Sequence, residues 1–240
     1  MSNNNSPRTG VGAIFHALSL IKTPTHHPDA GVRLLDPRTI VLPGWVHARS
    51  LVEDRRFQAL KSSIQQVGRN VQPIKLRPFS NVGGECHSPS YQLVFGAGRL
   101  QAARELGLPV LAFSEEVDEQ SAFVEFFIEC RHPQPWRPWP LALAVRTALD
   151  TGLFPSLRRL QHAVGDPLSD ISLLSSLARL PAETLAIIER LPVTRPVAKR
   201  LVAIAERDPG RLIALSKTVG KADLATVADL VRRASRESLL

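Results

Sequence analysis

Gly96-Ala97-Gly98-Arg99 is the stretch with the most chemistry in this 240-residue chain. It follows an apolar run, Tyr91 to Phe95, and opens a helical stretch. A second apolar run, Val110 to Phe113, comes next, followed by Glu115 and Glu116. The order is strand, glycine turn, helix, strand, acid. A glycine turn that feeds a helix presents unbonded backbone N–H groups and the positive end of the helix dipole to an anion. Arg99 adds a fixed charge. Gly96-x-Gly98-x-x-Gln101-Ala102 is a loosened form of the dinucleotide fingerprint. That fold requires several further parallel strands, and beyond Phe113 the sequence reads as helix only. Two readings stay open: a site for a phosphate-bearing ligand without a dinucleotide fold, and a tight strand-to-helix connection with Arg99 on the surface.

The second informative stretch is SLRRLQHAVGDPLSDISLLSSLARL, residues 156–180. Ser156 suits a helix N-cap. Leu157, Leu160 and Val164 share one helical face, and Gly165-Asp166-Pro167 stops the helix. A second helix starts near Ser169, with Ile171, Leu174 and Leu177 inward. Two short helices joined by a glycine turn make a helix-turn-helix candidate. The second helix then faces the DNA major groove with Ser169, Ser172, Ser175, Ser176 and Arg179, and Arg158 and Arg159 reach phosphate or guanine. Asp170 on that face is unfavourable unless it caps the helix or accepts from a cytosine amino group.

Charge placement supports a polyanionic partner. Residues 1–130 hold 13 Lys and Arg against 12 Asp and Glu, a net of +1, whereas residues 131–240 hold 17 against 10, a net of +7. A basic half-chain is the electrostatic footprint of a nucleic-acid binder.

Other candidate chemistry is thin. His26-His27 has no third ligand nearby. Cys86 and Cys130 lack metal-type spacing and read as free thiols of a reducing compartment. Glu115, Glu116, Asp118 and Glu119 look like a solvated acidic turn, not a cluster for a catalytic Mg²⁺ pair. The start of the chain lacks a signal-peptide layout, and no apolar run reaches the roughly 20 residues that span a bilayer. The expectation is a cytoplasmic protein with no membrane partner, no catalytic residues and no metal site.

These residues need positioning elements. Residues 1–31, rich in Asn, Ser, Thr, Pro and His, read as a flexible N-terminal arm with a short helical possibility at Ile14 to Ile21. Val32 to Leu35 and Ile40 to Leu42 read as short strands around a DPR turn. Residues 54–68 place Phe57, Leu60, Ile64 and Val67 at helical spacing, with Gly68 as a stop. VQPIKLRPF is a strand by alternation, and Pro73 points to an edge strand or a strand start. Val117 to Glu129 is a helix whose Phe123, Phe126 and Phe127 serve a core. Prolines break residues 131–140, a Pro/Trp-rich linker. Beyond it lie helical patterns at Leu141 to Asp150, Ser156 to Val164, Ser169 to Leu180, Ala182 to Arg190, Val197 to Arg207, Arg211 to Val219 and Ala222 to Ser235. Leu212, Leu215, Val219, Leu224, Val227 and Leu230 make either a helical pairing surface or the end of the core. The fold class is α+β: a small α/β domain at 32–130, then an all-α domain at 141–240 with the helix-turn-helix at 156–180.

Both halves together resemble one family, the ParB/RepB-type plasmid and chromosome partition proteins. The matching pieces are SIQQVGRNVQPIKLRP, YQLVFGAGRLQAARELGLPV, LDTGLFPSLRRLQHAVG and LARLP, in the family's order over roughly residues 32–210. The resemblance implies a ParB/sulfiredoxin-like N-terminal domain, a helix-turn-helix domain on a centromere-like double-stranded DNA site, a homodimer, a ParA-type ATPase partner, and association with a nucleoid or plasmid. It also implies CTP with Mg²⁺, held at Gln72, Gly96, Gly98, Arg99, Glu129 and Arg131.

The boxes depart from the family's pattern. A box that usually reads Gly-Glu/His-Arg-Arg-x-Arg-Ala reads Gly96-Ala97-Gly98-Arg99-Leu100-Gln101-Ala102. The second box, Glu-Asn-x-x-Arg, falls on Glu129-Cys130-Arg131-His132-Pro133. Three of four expected cations are missing, each a charge-assisted bond worth ~1.5–3 kcal/mol to a triphosphate. CTP turnover is therefore not expected. The functional expectation is site-specific DNA binding in plasmid or mobile-element partition. A transcriptional regulator, a ParB-fold nuclease and an interference or scaffold protein are the alternatives.

Overall fold

The computed structural model describes residues 31–47, 55–79, 90–131, 138–188 and 193–219. The expected arm, the helix at Ile14 to Ile21, Cys86, His132 to Arg137 and the helix at Ala222 to Ser235 lie outside the described residues.

Five strands form one mixed sheet: β1 (Arg33–Leu35), β2 (Ile40–Val41), β3 (Ile74–Phe79), β4 (Ser90–Phe95) and β5 (Val110–Ser114), in the order β1-β5-β3-β4-β2. The β1/β5 and β3/β4 pairs are antiparallel, while β2/β4 and β3/β5 are parallel. This is not a doubly wound parallel sheet, so the dinucleotide reading of the glycine turn falls on topology. The DPR turn is a 3₁₀ turn, Pro37–Thr39, whose Asp36 side chain accepts from the Arg38 N–H.

Pro73 marks the start of a strand, and that strand is central, not an edge. Pro78 is tolerated inside it because the last pairing with β5 is Leu76 with Ser114, so β3 has a single neighbour at Pro78. Just before β3, the buried Asn70 stands in for a strand. Its Nδ2 donates to the Leu111 carbonyl at 2.9 Å and its Oδ1 accepts from the Leu111 N–H at 2.7 Å.

Helix α1 (Arg55–Val67) and α2 (Ala97–Leu106) pack together through Phe57, Leu60, Ile64, Ala102 and Leu106. Val67, expected on the buried face, is the last residue of α1 and is 56% exposed. Leu100 and Ala103 turn the other face of α2 onto Ile74, Leu76 and Leu93 of the sheet.

Helix α3 (Glu119–Cys130) lies along β4. Asp118 caps it, accepting from the Ser121 N–H at 2.9 Å and its hydroxyl at 2.7 Å. One turn-spaced pair of α3, Glu125 and Glu129, faces the α/β part. Its Phe123, Phe126 and Phe127 enter a core that continues through α4 (Trp139–Asp150), α5 (Leu157–Val164), α6 (Leu168–Leu177), α8 (Arg195–Arg207) and α9 (Pro209–Val219). Phe123 stacks edge-on against Trp45 on one side and Phe154 on the other. Trp45, Val46 and Val94 of the α/β part join this helical core, while the sheet face under α2 and the α1–α2 contact form two further apolar clusters. Trp139 and Pro140, read as linker, already belong to α4. Helix α7 (Ala182–Ile188) meets α9 through a buried Thr184–Ser216 hydroxyl pair at 2.9 Å. Leu212 is fully buried and finishes the core.

Candidate nucleic-acid interface and the glycine turn

The helix-turn-helix forms as the spacing predicts. Ser156 caps α5 by accepting from the Arg159 N–H at 3.2 Å, and Gly165 ends the helix at φ 74°, the left-handed conformation that glycine adopts without strain. After Asp166-Pro167, α6 begins. Ile171, Leu174 and Leu177 are buried. Ser169, Ser172 and Arg179 are exposed and Ser176 is half-exposed, so these four line one outward stripe. Arg158 and Arg159 are exposed on α5.

Ser175 is not on that stripe. It is 4% exposed, because four residues after Ile171 is one helical turn along the inward face. A small side chain there lets α6 pack closely on its neighbours; it is a packing residue, not a DNA-facing one.

Long-range polar contacts hold this unit. Arg131, just beyond α3, pairs with Asp166 in the turn. The Gln161 amide donates to the Asp166 carbonyl at 2.9 Å. Arg195 at the start of α8 pairs with Asp170 at 3.0 Å, so the carboxylate that looked unfavourable near DNA is held by a cation. Arg146 of α4 donates to the Ala178 carbonyl at 2.7 Å and so caps the C-terminal end of α6. Arg146 and Arg195 carry no local sequence signal; their roles follow from tertiary neighbours.

At the glycine turn, Gly96 precedes α2 with φ 98°, and a Cβ there would lie 2.5 Å from Ile74 Cγ2. Gly98 is different: its Cβ would meet only Leu60 Cδ2, at 3.5 Å. The turn brings together four of the residues read as a nucleotide box. The Gly96 N–H donates to Glu129 Oε2 at 3.2 Å. Arg99 donates to the carbonyls of Gln72 and Pro73 at 3.2 and 2.9 Å, and to Glu129 Oε1 at 2.9 Å. Arg99 is therefore tied into a half-buried cluster beside the exposed Glu129. Arg131, the sixth box residue, is turned to Asp166 instead.

The acidic turn is only partly solvated. Glu115 and Glu125 both reach the buried Lys75 Nζ, at 2.8 Å each, and Asp118 is a helix cap. Beside the cluster, burial first and the Glu129 charge second push the free Cys130 thiol up to about 12. Among the described residues no group of His, Cys, Asp or Glu is arranged to hold a metal ion, and no helix is long and apolar enough to cross a membrane.

The family model of the ParB N-terminal domain matches residues 24–129. The matched segment contains the whole glycine turn with Glu129, and it ends two residues before Arg131. A putative replication protein B of Rhizobium rhizogenes is 38% identical over 78 residues, 31% of this chain; the match spans 23% of the relative's length. Two solved structures of C-terminally truncated ParB from Caulobacter crescentus are also similar, each 22% identical. One, complexed to the centromeric parS site, covers 84% of this chain and 99% of its own at a TM-score of 0.43. The other, complexed with CTP-γ-S, covers 78% of this chain and 98% of its own at a TM-score of 0.33.

Proposed function

We propose that this chain is a site-specific double-stranded-DNA-binding protein of the ParB type, acting in plasmid or mobile-element partition. The observation that carries the reading is the outward row of Ser169, Ser172 and Ser176 on α6, continued by Arg179 in the turn after it, with α6 restrained at the preceding turn, its first turn and its end by Arg131, Arg195 and Arg146. Small polar side chains let a helix backbone come close to base edges, and a restrained helix loses little freedom on docking. The +7 excess of residues 131–240 supplies phosphate attraction. Arg158 and Arg159 contact phosphates beside the groove, and Arg179 contacts phosphate or guanine.

In this reading residues 32–130 and 141–240 are distinct functional modules joined by the apolar cluster around Phe123. The chain acts as a homodimer on a two-fold site, with a ParA-type ATPase as partner, in association with a plasmid or nucleoid.

The test is selection from a random duplex pool at moderate salt with Mg²⁺, reading enrichment and strand integrity. Enrichment of a palindromic motif with intact strands is the expected result. Cleaved strands would convert the reading to a nuclease. No enrichment would convert it to a scaffold or interference protein.

A further inference from the structure

We infer that Glu129 is the chain's own anionic ligand for the glycine turn, and that this turn therefore does not take a nucleotide phosphate. An anion at the start of α2 would draw on the backbone N–H groups there, that of Gly96 among them, and on the guanidinium of Arg99, the cation that remains in the box. Both already donate to one carboxylate, Oε2 to Gly96 at 3.2 Å and Oε1 to Arg99 at 2.9 Å. The second guanidinium nitrogen of Arg99 is used by the carbonyls of Gln72 and Pro73. Lys75, the nearest buried cation of β3, is shared by Glu115 and Glu125. The Gly96 N–H and the Arg99 guanidinium are thus both engaged within the chain, and the carboxylates around them outnumber the cations.

The carboxylate cannot retreat with its backbone. One turn earlier Glu125 is tied to Lys75, and two residues later Arg131 is tied to Asp166. On the far side of α3, Phe126 and Phe127 are buried in the shared core. A triphosphate arriving at Gly96 would have to rotate the Glu129 side chain aside and then bind next to its negative charge, with one arginine to answer about four charges. The CTP and Mg²⁺ that the family resemblance implies do not fit these residues. Box identity alone shows only missing cations; the geometry adds a carboxylate on the Gly96 N–H and the Arg99 guanidinium.

Isothermal titration of the full chain with CTP and Mg²⁺, and separately with pyrophosphate, tests this. Wild-type protein is expected to give no saturable binding up to about 1 mM of either. Glu129→Gln keeps an acceptor for Gly96 and removes the charge; it is expected to bind pyrophosphate at least about tenfold more tightly than wild type. Saturable wild-type binding of CTP with a Kd below about 1 mM would overturn the inference whatever the variant does. So would a folded Glu129→Gln variant, checked by its melting transition, that gains no pyrophosphate affinity. DNA selection on the same preparation keeps the two proposals apart, because lost DNA binding leaves the titration result standing.

Discussion

Arg146 on α4 donates through Nη1 to the carbonyl of Ala178 at 2.7 Å, closing the end of α6 that carries Arg179. A charged donor on a helix's last carbonyls also suits the helix dipole. Arg146→Met is expected to cost about 1–2 kcal/mol in urea unfolding, and to weaken DNA binding although Arg146 is not on the outward stripe. Unchanged stability would remove the cap from the account of how α6 is held.

Arg158, Arg159 and Arg179 are expected to act through charge. Replacing all three with Ala weakens binding and flattens the dependence of log affinity on log salt by about 0.9 per lost phosphate contact. Fluorescence anisotropy across a salt series reads both quantities. An unchanged slope would place the DNA elsewhere.

Ser172 and Ser175 separate the two faces of α6. Ser175→Leu overfills the inward face and is expected to destabilise by about 1–3 kcal/mol. Ser172→Ala leaves stability within about 0.5 kcal/mol and changes the selected DNA motif. A Ser175→Leu protein as stable as wild type would contradict the packing described.

Gly96 and Gly98 look alike in the motif and differ in the fold. Gly96→Ala meets Ile74 at 2.5 Å and a left-handed φ, so its melting temperature falls sharply. Gly98→Ala, inside α2 with ordinary contacts, is expected to be neutral or to stabilise by about 0.5–1 kcal/mol. Calorimetry of the two single variants decides it.

Hydrogen bonds from the Ser121 hydroxyl and N–H hold the Asp118 carboxyl below the usual carboxylate range. The folded-state value lies below the unfolded one. Its contribution is therefore complete at neutral pH and is lost as pH falls through the folded-state value, below about pH 4. Asp118→Ala is expected to cost about 1 kcal/mol at pH 7 and to flatten the acid limb of stability against pH. Urea midpoints at pH 7 and pH 3 for both proteins measure it.

The elements of this fold are legible because their signals are local. Gly165 stops α5, Gly107 ends α2 at φ 65°, and the Ile171, Leu174, Leu177 spacing lays down α6. What is not legible depends on distant partners. Arg99 reads as a surface cation until the Gln72 and Pro73 carbonyls arrive from before β3. Glu115 reads as solvated until Lys75 is placed beneath it. Ser175 was readable: four residues after Ile171 is an inward position, and its polar type misled. The proline-rich stretch likewise suggests a break that the apolar core does not respect.

The strand order β1-β5-β3-β4-β2 has a consequence for synthesis. The first two strands to leave the ribosome are the two outermost strands of the finished sheet. Neither can dock until a later neighbour exists: β2 waits for β4, and β1 waits for β5. Such distant pairings close slowly. Until β4 is made Ile40 has no sheet to join, and until β5 is made neither has the strand around Leu34, so the nascent chain carries open strands in search of partners.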